Sequence, residues 1–395
     1  RSPRAGWWSE RPGALGVLIT RPQTWITLGM VAVLWAGLAM TPAPHYGTMK
    51  LKSFLLTAVV AYGVGVVLGP LWAAGHHHVD RFLRAGLILG GLVALAGVLV
   101  MAGASHPLLR GEIGPQTGPE ALRMGWLGTN LIWLSRVLAL WIVLLFWAMR
   151  RGLIRPAWVI ALTAVGLLLM LRTGSRGPLA ALIASPLALL FLPGRLVRSP
   201  TPLRRFLGWA FAGLAAAAVL ILLLPAETQS ALVSAVARGP VGEVLRSTGW
   251  GQEVLGASAG GRDPSSNFRV YLAGRSLDLL REGLPWGHGT GAFPAELFAR
   301  DFRLYPHNVF AETLFENGVP GFLLLLFFIL LTYRAAWRLA PRWEAARWLW
   351  LLFAMALLNA QVSGDLPANE WLWLWGGLLA GAPHAARAGR GREAR

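Results

Sequence analysis

Apolar runs long enough to cross a bilayer recur along the chain at about 24–41, 51–75, 82–103, 126–149, 156–171, 177–192, 206–224, 309–333, 347–360 and 371–383. The pattern predicts an all-α fold, a polytopic membrane helical bundle of about ten, and up to twelve, transmembrane helices. One polar stretch, residues 225–308, is far longer than the other connections. It is expected to form a large helical extracytoplasmic loop, with two or three short helices near the membrane surface. The layout that follows is a first set of seven helices over 1–224, the loop over 225–308, three helices over 309–383 and a basic cytoplasmic tail over 384–395. Inside the loop, Asp263, Ser265 and Ser266 are plausible caps ahead of NFRVYLAGRSLDLL, and Gly283 with Pro285 ends that helix. Phe268, Tyr271, Leu272 and Leu279 share one face of it.

Composition supports the membrane assignment. Of 395 residues, 55% are hydrophobic and 14% charged, and a soluble domain with that balance would leave much apolar surface in water. The net charge of +18 does not point to nucleic acid, because the arginines fall in short clusters between apolar runs and form no single basic face. The expected partner is the lipid bilayer. Cysteine is absent, which excludes disulfides and thiolate metal sites. His76, His77 and His78 are adjacent and cannot all aim at one ion from a regular helix. There is also no DxD pair to hold a divalent ion, so neither metal nor cofactor is expected. No cleavable signal peptide is recognised, and because the chain begins at Arg1, native residues are expected ahead of it.

Sidedness follows from the basic residues, which are retained on the cytoplasmic side. The N-terminal stretch, Arg81 with Arg84, Arg150 with Arg151 and Arg155, the 194–205 and 334–347 loops and the tail hold most of them. The alternate short connections hold Lys50, Lys52, Arg110, Arg123, Arg172 and Arg176. Both termini are therefore expected in the cytoplasm and the 225–308 loop outside it. Asn130 and Arg136 are expected inside the fourth helix, where an arginine costs roughly 2.5–3.5 kcal/mol, and so should face the protein interior.

Four outward places gather polar groups. In Arg172-Thr-Gly-Ser-Arg176-Gly177, the glycines permit a tight turn and Ser175 can cap the next helix. Arg176 either sits at the headgroups or presents its planar fork to an anion. In the second, the spacing of Arg269, Ala273 and Leu277 can place Arg269 on a buried face, and Gly287, Gly289 and Gly291 let the backbone approach something closely. A structural turn suits those glycines, and a structural role suits His288. In the third, Pro306 and Asn308 mark a helix start that places His307 at the mouth of a membrane helix, as a cap or as a proton acceptor. Gly318, Pro320 and Gly321 mark a break in that helix, while Glu312 and Glu316 can face the interface. The fourth, Asp365, can orient His307, pair with an arginine or serve a turn.

TGSRGPLAAL, NFRVYLAGRSLDLLREGLPWGHGTGAF and PHNVFAETLFENGVPGF, in that order, resemble the O-antigen ligase and O-antigen polymerase superfamily of bacterial cell-envelope glycan assembly. The resemblance covers about 170–330. It implies a metal-independent, inverting glycosyltransferase that moves a glycan from an undecaprenyl-diphosphate carrier to an acceptor hydroxyl on a glycolipid or glycan. By the same resemblance, Arg176 and Arg269 match the family's diphosphate-binding arginines and His307 matches its essential histidine. Arg172, which the resemblance does not supply, is expected to join the two arginines at the diphosphate. Asp365 matches a frequent acidic position. Asn308 and Ser175 are expected to support the site. The setting implied is the bacterial inner membrane, with the active site on the periplasmic face. Ligase is preferred over polymerase. The competing class is a transporter or flippase that binds lipid phosphate without breaking a bond, and it would need polar residues spread through the helices.

Overall fold

The computed structural model describes residues 14–102, 130–193 and 264–382, and every regular element among them is helical. The predicted span at 206–224, the first part of the 225–308 loop and the basic tail lie outside the described residues. Among the described residues, five helices are long and apolar enough to cross a membrane: Pro44–Ala74, His77–Met101, Leu131–Arg150, Pro156–Thr173 and Val309–Leu339. The chain is thus a multi-pass membrane protein. The predicted spans at 24–41, 347–360 and 371–383 are also helices, but of 16, 17 and 12 residues. The chain divides into two compact units.

The first unit holds α1 (Ala14–Ile19), α2 (Pro22–Gly37) and α3 (Pro44–Phe54), which runs through a π-helical turn at Leu55–Val59 into α4 (Val60–Ala74). Proline at the first turn opens both α2 and α3, where its missing N–H costs nothing and its fixed φ already suits a helix. The second unit holds α5 (His76–Met101) from Val79 onward, α6 (Leu131–Arg150), α7 (Pro156–Thr173) and α8 (Arg176–Ala184). α8 tightens into a 3-10 helix over Ser185–Phe191. In this unit Gly90 gives the Trp141 indole its place, and Trp141 donates Nε1–H to the Leu87 carbonyl at 3.2 Å. Asn130 is not within a membrane helix as expected. It is the exposed N-cap of α6, accepting the Ile132 N–H at 2.8 Å, because an asparagine at that point satisfies an orphan helix donor.

The chain returns to the first unit through α9 (Pro264–Gly283) from Arg269 onward, α10 (Phe293–Phe298), α11 (Val309–Leu339), α12 (Glu344–Ala360) and α13 (Glu370–Gly381). α9 ends at Gly283 as the sequence predicts, but it begins at Pro264, so Ser265 and Ser266 lie inside its first turn. Leu272 packs with Ala292, Phe293 and Phe315, and Leu279 joins their edge. The side chains of Phe268 and Tyr271 lie outside the described residues.

α4 and α13 approach each other through paired small residues. A Cβ on Gly69 would lie 2.5 Å from the Leu378 carbonyl oxygen, and one on Gly65 would meet the Leu374 carbonyl. Gly377 and Gly381 face the Tyr62 and Val66 carbonyls in the same way. Two GxxxG stripes thus let the backbones touch, which is how membrane helices gain packing without a hydrophobic drive between them. Beside this seam, Trp373 meets Phe54 edge-on at 5.2 Å and Phe328 at 4.5 Å. Gly69→Leu is expected to destabilise the protein by about 1–3 kcal/mol, since the obstacle is backbone and cannot rotate away. Denaturant unfolding in detergent checks this, and an unchanged midpoint would show that the helices do not approach so closely.

Candidate active site

The site in the first unit is built around a break in α11. Pro320 has no N–H, and Gly318 takes φ 61 and ψ −161 within the helix. The carbonyls of Phe315 and Glu316, one turn upstream, therefore lose their helical donors. The glycine-rich loop supplies replacements. His288 N–H donates to Phe315 O and Gly289 N–H to Glu316 O, each at 2.9 Å, and Val319 N–H turns to Pro285 O at 2.8 Å. Gly287, Gly289 and Gly291 all have positive φ, and each runs against other backbone, at Glu316, Thr41 and Gly47 respectively. What the glycines approach closely is the chain itself. His288 is structural too, stacked on Phe315 at 4.3 Å and bonded to the Leu279 carbonyl at 3.0 Å.

Below the break lies a buried ion cluster that corrects the expectation for Glu312 and Glu316. Neither faces the interface. Lys50, from α3, reaches Glu312 Oε1 at 2.5 Å and Glu316 Oε2 at 2.6 Å, and all three side chains are 1% exposed. Lys50 accordingly sits inside a helix and not in an exposed connection. Glu312 Oε1 also accepts the Leu366 N–H at 3.0 Å, and Glu316 Oε2 the Gly291 N–H at 2.9 Å. The cluster therefore ties together α3, α11, the glycine loop and the turn that carries Asp365. The remaining oxygens, Glu312 Oε2 and Glu316 Oε1, are buried with no hydrogen-bond partner.

His307 stands at the mouth of α11 with φ 60. Left-handed backbone is uncommon outside glycine and costs on the order of 1–3 kcal/mol, so surrounding contacts must hold it. They lie on both sides. Asp301 accepts the N–H groups of His45 and Tyr46 at 2.8 and 2.9 Å, capping α3 from a distance. Asn308 caps α11, accepting from Phe310 and Ala311 at 3.0 Å, and donates to the Gln361 carbonyl at 3.4 Å. The His307 ring lies 4.5 Å from that of Tyr305.

Asp365 pairs with an arginine, Arg303, whose Nη2 lies 3.2 Å from both carboxylate oxygens. It also accepts the Tyr46 hydroxyl at 3.2 Å. Burial disfavours the Arg303 charge, but the Asp365 carboxylate outweighs this and holds its pKa above the ordinary guanidinium value. Sequence reasoning passed over Arg303, Tyr46 and Lys50. Two signals were present: an arginine four residues before His307, and two glutamates one turn apart leading into an apolar helix.

Arg172, Ser175 and Arg176 belong to the second unit. Gly174 makes the turn between α7 and α8 with φ 64. Gly177 lies within α8. Ser175 occupies the N-cap position, but its side chain makes no cap, contrary to expectation. The local hydroxyl bond comes instead from Thr173 Oγ1, which accepts the Ser175 N–H at 3.3 Å. The Nε of Arg172 is buried without a hydrogen-bond partner. Arg269 falls in α9, and its side chain lies outside the described residues. No group of three metal-binding side chains occurs among the described residues.

Residues 161–326 match the family model described as O-Antigen ligase. The matched region includes Arg172, Arg176, Arg269, Arg303 and His307, and it ends before Asp365. No curated protein and no solved structure matches the chain.

Proposed function

Because the chain belongs to the O-antigen ligase superfamily, we propose that it transfers a glycan from an undecaprenyl-diphosphate-type carrier to an acceptor hydroxyl, with inversion and without a metal. Arg176, Arg269 and Arg172 neutralise the diphosphate as the glycosidic bond breaks, and His307 accepts the hydroxyl proton as the acceptor attacks. Asn308 and Asp365 support the His307 segment, and Ser175 supports the turn that carries Arg176 through its backbone N–H. The reaction takes place on the periplasmic face of the bacterial inner membrane, with both termini in the cytoplasm.

The observation that carries this proposal is His307 itself. It is a histidine in a costly backbone conformation, held from both sides at a helix mouth inside the matched region. Backbone strain of this kind clusters at functional sites. The unpartnered Nε of Arg172 adds support, because a buried guanidinium donor gains most from an oxyanion.

Arg176→Ala and Arg269→Ala are each expected to weaken binding of a lipid diphosphate donor by about tenfold or more, the loss of one charge-assisted contact of roughly 1.5–3 kcal/mol. Equilibrium binding in detergent measures this, and unchanged affinity in both variants would remove the diphosphate assignment. Purified protein given lipid-linked repeat units is expected to make one addition to the acceptor. A ladder of products would identify a polymerase.

A further inference from the structure

We propose that Arg303 binds an oxyanion, a phosphate or a carboxylate, that the acceptor carries near its reacting hydroxyl. This rests on the assignment of His307 as the group that receives that hydroxyl's proton. The geometry around Arg303 is that of a held, outward-facing cation. Its side chain is 53% exposed, while that of its partner Asp365 is 4% exposed. An ion pair between two exposed, mobile side chains fixes little. Here the carboxylate is itself anchored, by the Tyr46 hydroxyl and by the Ala368 N–H, each at 3.2 Å.

Arg303 spends one nitrogen on this contact, since Nη2 alone spans both carboxylate oxygens. Nε and Nη1 donate to no protein group among the described residues, and a planar fork with donors in hand matches phosphate or carboxylate oxygens. The Asp365 charge is shared among Tyr46, Ala368 and Arg303, so it offsets only part of the cation's field on the exposed side. The guanidinium also lies 5.7 Å from the centre of the Tyr305 ring, against which the His307 ring rests at 4.5 Å. Arg303 and His307 thus share one aromatic neighbour within a segment pinned at Asp301 and Asn308. An anion on Arg303 therefore belongs to the molecule whose hydroxyl meets His307, which is the acceptor.

Arginine-selective modification tests this without turnover, so its outcome does not depend on whether glycan transfer occurs. The full-length protein in detergent is treated with phenylglyoxal, and modification of Arg303 is followed by peptide mass spectrometry. A hexose phosphate at millimolar concentration is expected to slow modification roughly threefold or more through charge-assisted hydrogen bonds. Free hexose is expected to leave the rate unchanged. Equal rates with and without hexose phosphate would overturn the proposal. Protection by inorganic diphosphate but not by hexose phosphate would also overturn it, by assigning Arg303 to the donor. Asp365→Asn, with its thermal midpoint measured alongside, is expected to lose the protection because the fork is no longer held. Full protection in that variant would show that Asp365 does not present the arginine. Where turnover is measured, Arg303→Gln is expected to raise KM for a phosphate-bearing acceptor about tenfold more than KM for its dephosphorylated counterpart, the contact being one charge-assisted hydrogen-bond pair. An equal rise for both acceptors would overturn the proposal.

Discussion

Lys50→Met is expected to lower the stability of the folded protein by about 3–5 kcal/mol, the typical effect of removing one member of a buried ion group. Lys50 is the shared cation for Glu312 and Glu316, and neither carboxylate has access to water. Each already has one oxygen without a partner. Removing the ammonium leaves both glutamates without their counter-charge in a low-dielectric interior, and methionine fills the space without supplying a donor. The triple variant Lys50→Met, Glu312→Gln, Glu316→Gln is expected to recover most of the loss, because it removes the buried charges together. Denaturant unfolding in detergent distinguishes these outcomes. A Lys50→Met midpoint equal to that of the native protein would show that the cluster does not hold α3 to α11.

His307→Ala is expected to reduce glycan transfer by about a hundredfold to ten-thousandfold, the usual contribution of a positioned acid or base. Binding of the lipid diphosphate is expected to persist, since the role proposed for it belongs to the arginines. Alanine also has to adopt the left-handed backbone, which adds a stability cost. His307→Asn separates the two effects. Asparagine tolerates positive φ better than other non-glycine residues, so this variant is expected to unfold at the native midpoint and still fail in transfer. Native activity in His307→Asn would remove the histidine from the chemistry.

The long apolar runs made the helices legible, and Pro306 with Asn308 made the start of α11 legible, because a cap and a proline act within one turn. The break at Gly318 was visible for the same reason. What the sequence concealed is the use made of that break. The loss of the Pro320 donor exposes carbonyls, but only the fold shows that His288 and Gly289 satisfy them. The Lys50 pairing with Glu316 joins residues 266 positions apart, and no local pattern encodes such a partner. Arg303 was hidden similarly, since an arginine in a polar loop reads as solvated until Asp365 is seen to hold it. Ser175 shows the reverse case. Its residue type suits a cap, but Thr173 makes the local hydroxyl bond.

The proposed reaction breaks a bond between a glycan and a lipid diphosphate. Purified protein reconstituted in vesicles with labelled lipid-linked glycan and acceptor tests it directly. The expected result is one free polyprenyl diphosphate for each glycan joined to the acceptor, in the absence of any divalent cation. Movement of intact lipid-linked glycan between leaflets, with no diphosphate released and no acceptor modified, would contradict it and identify a carrier instead.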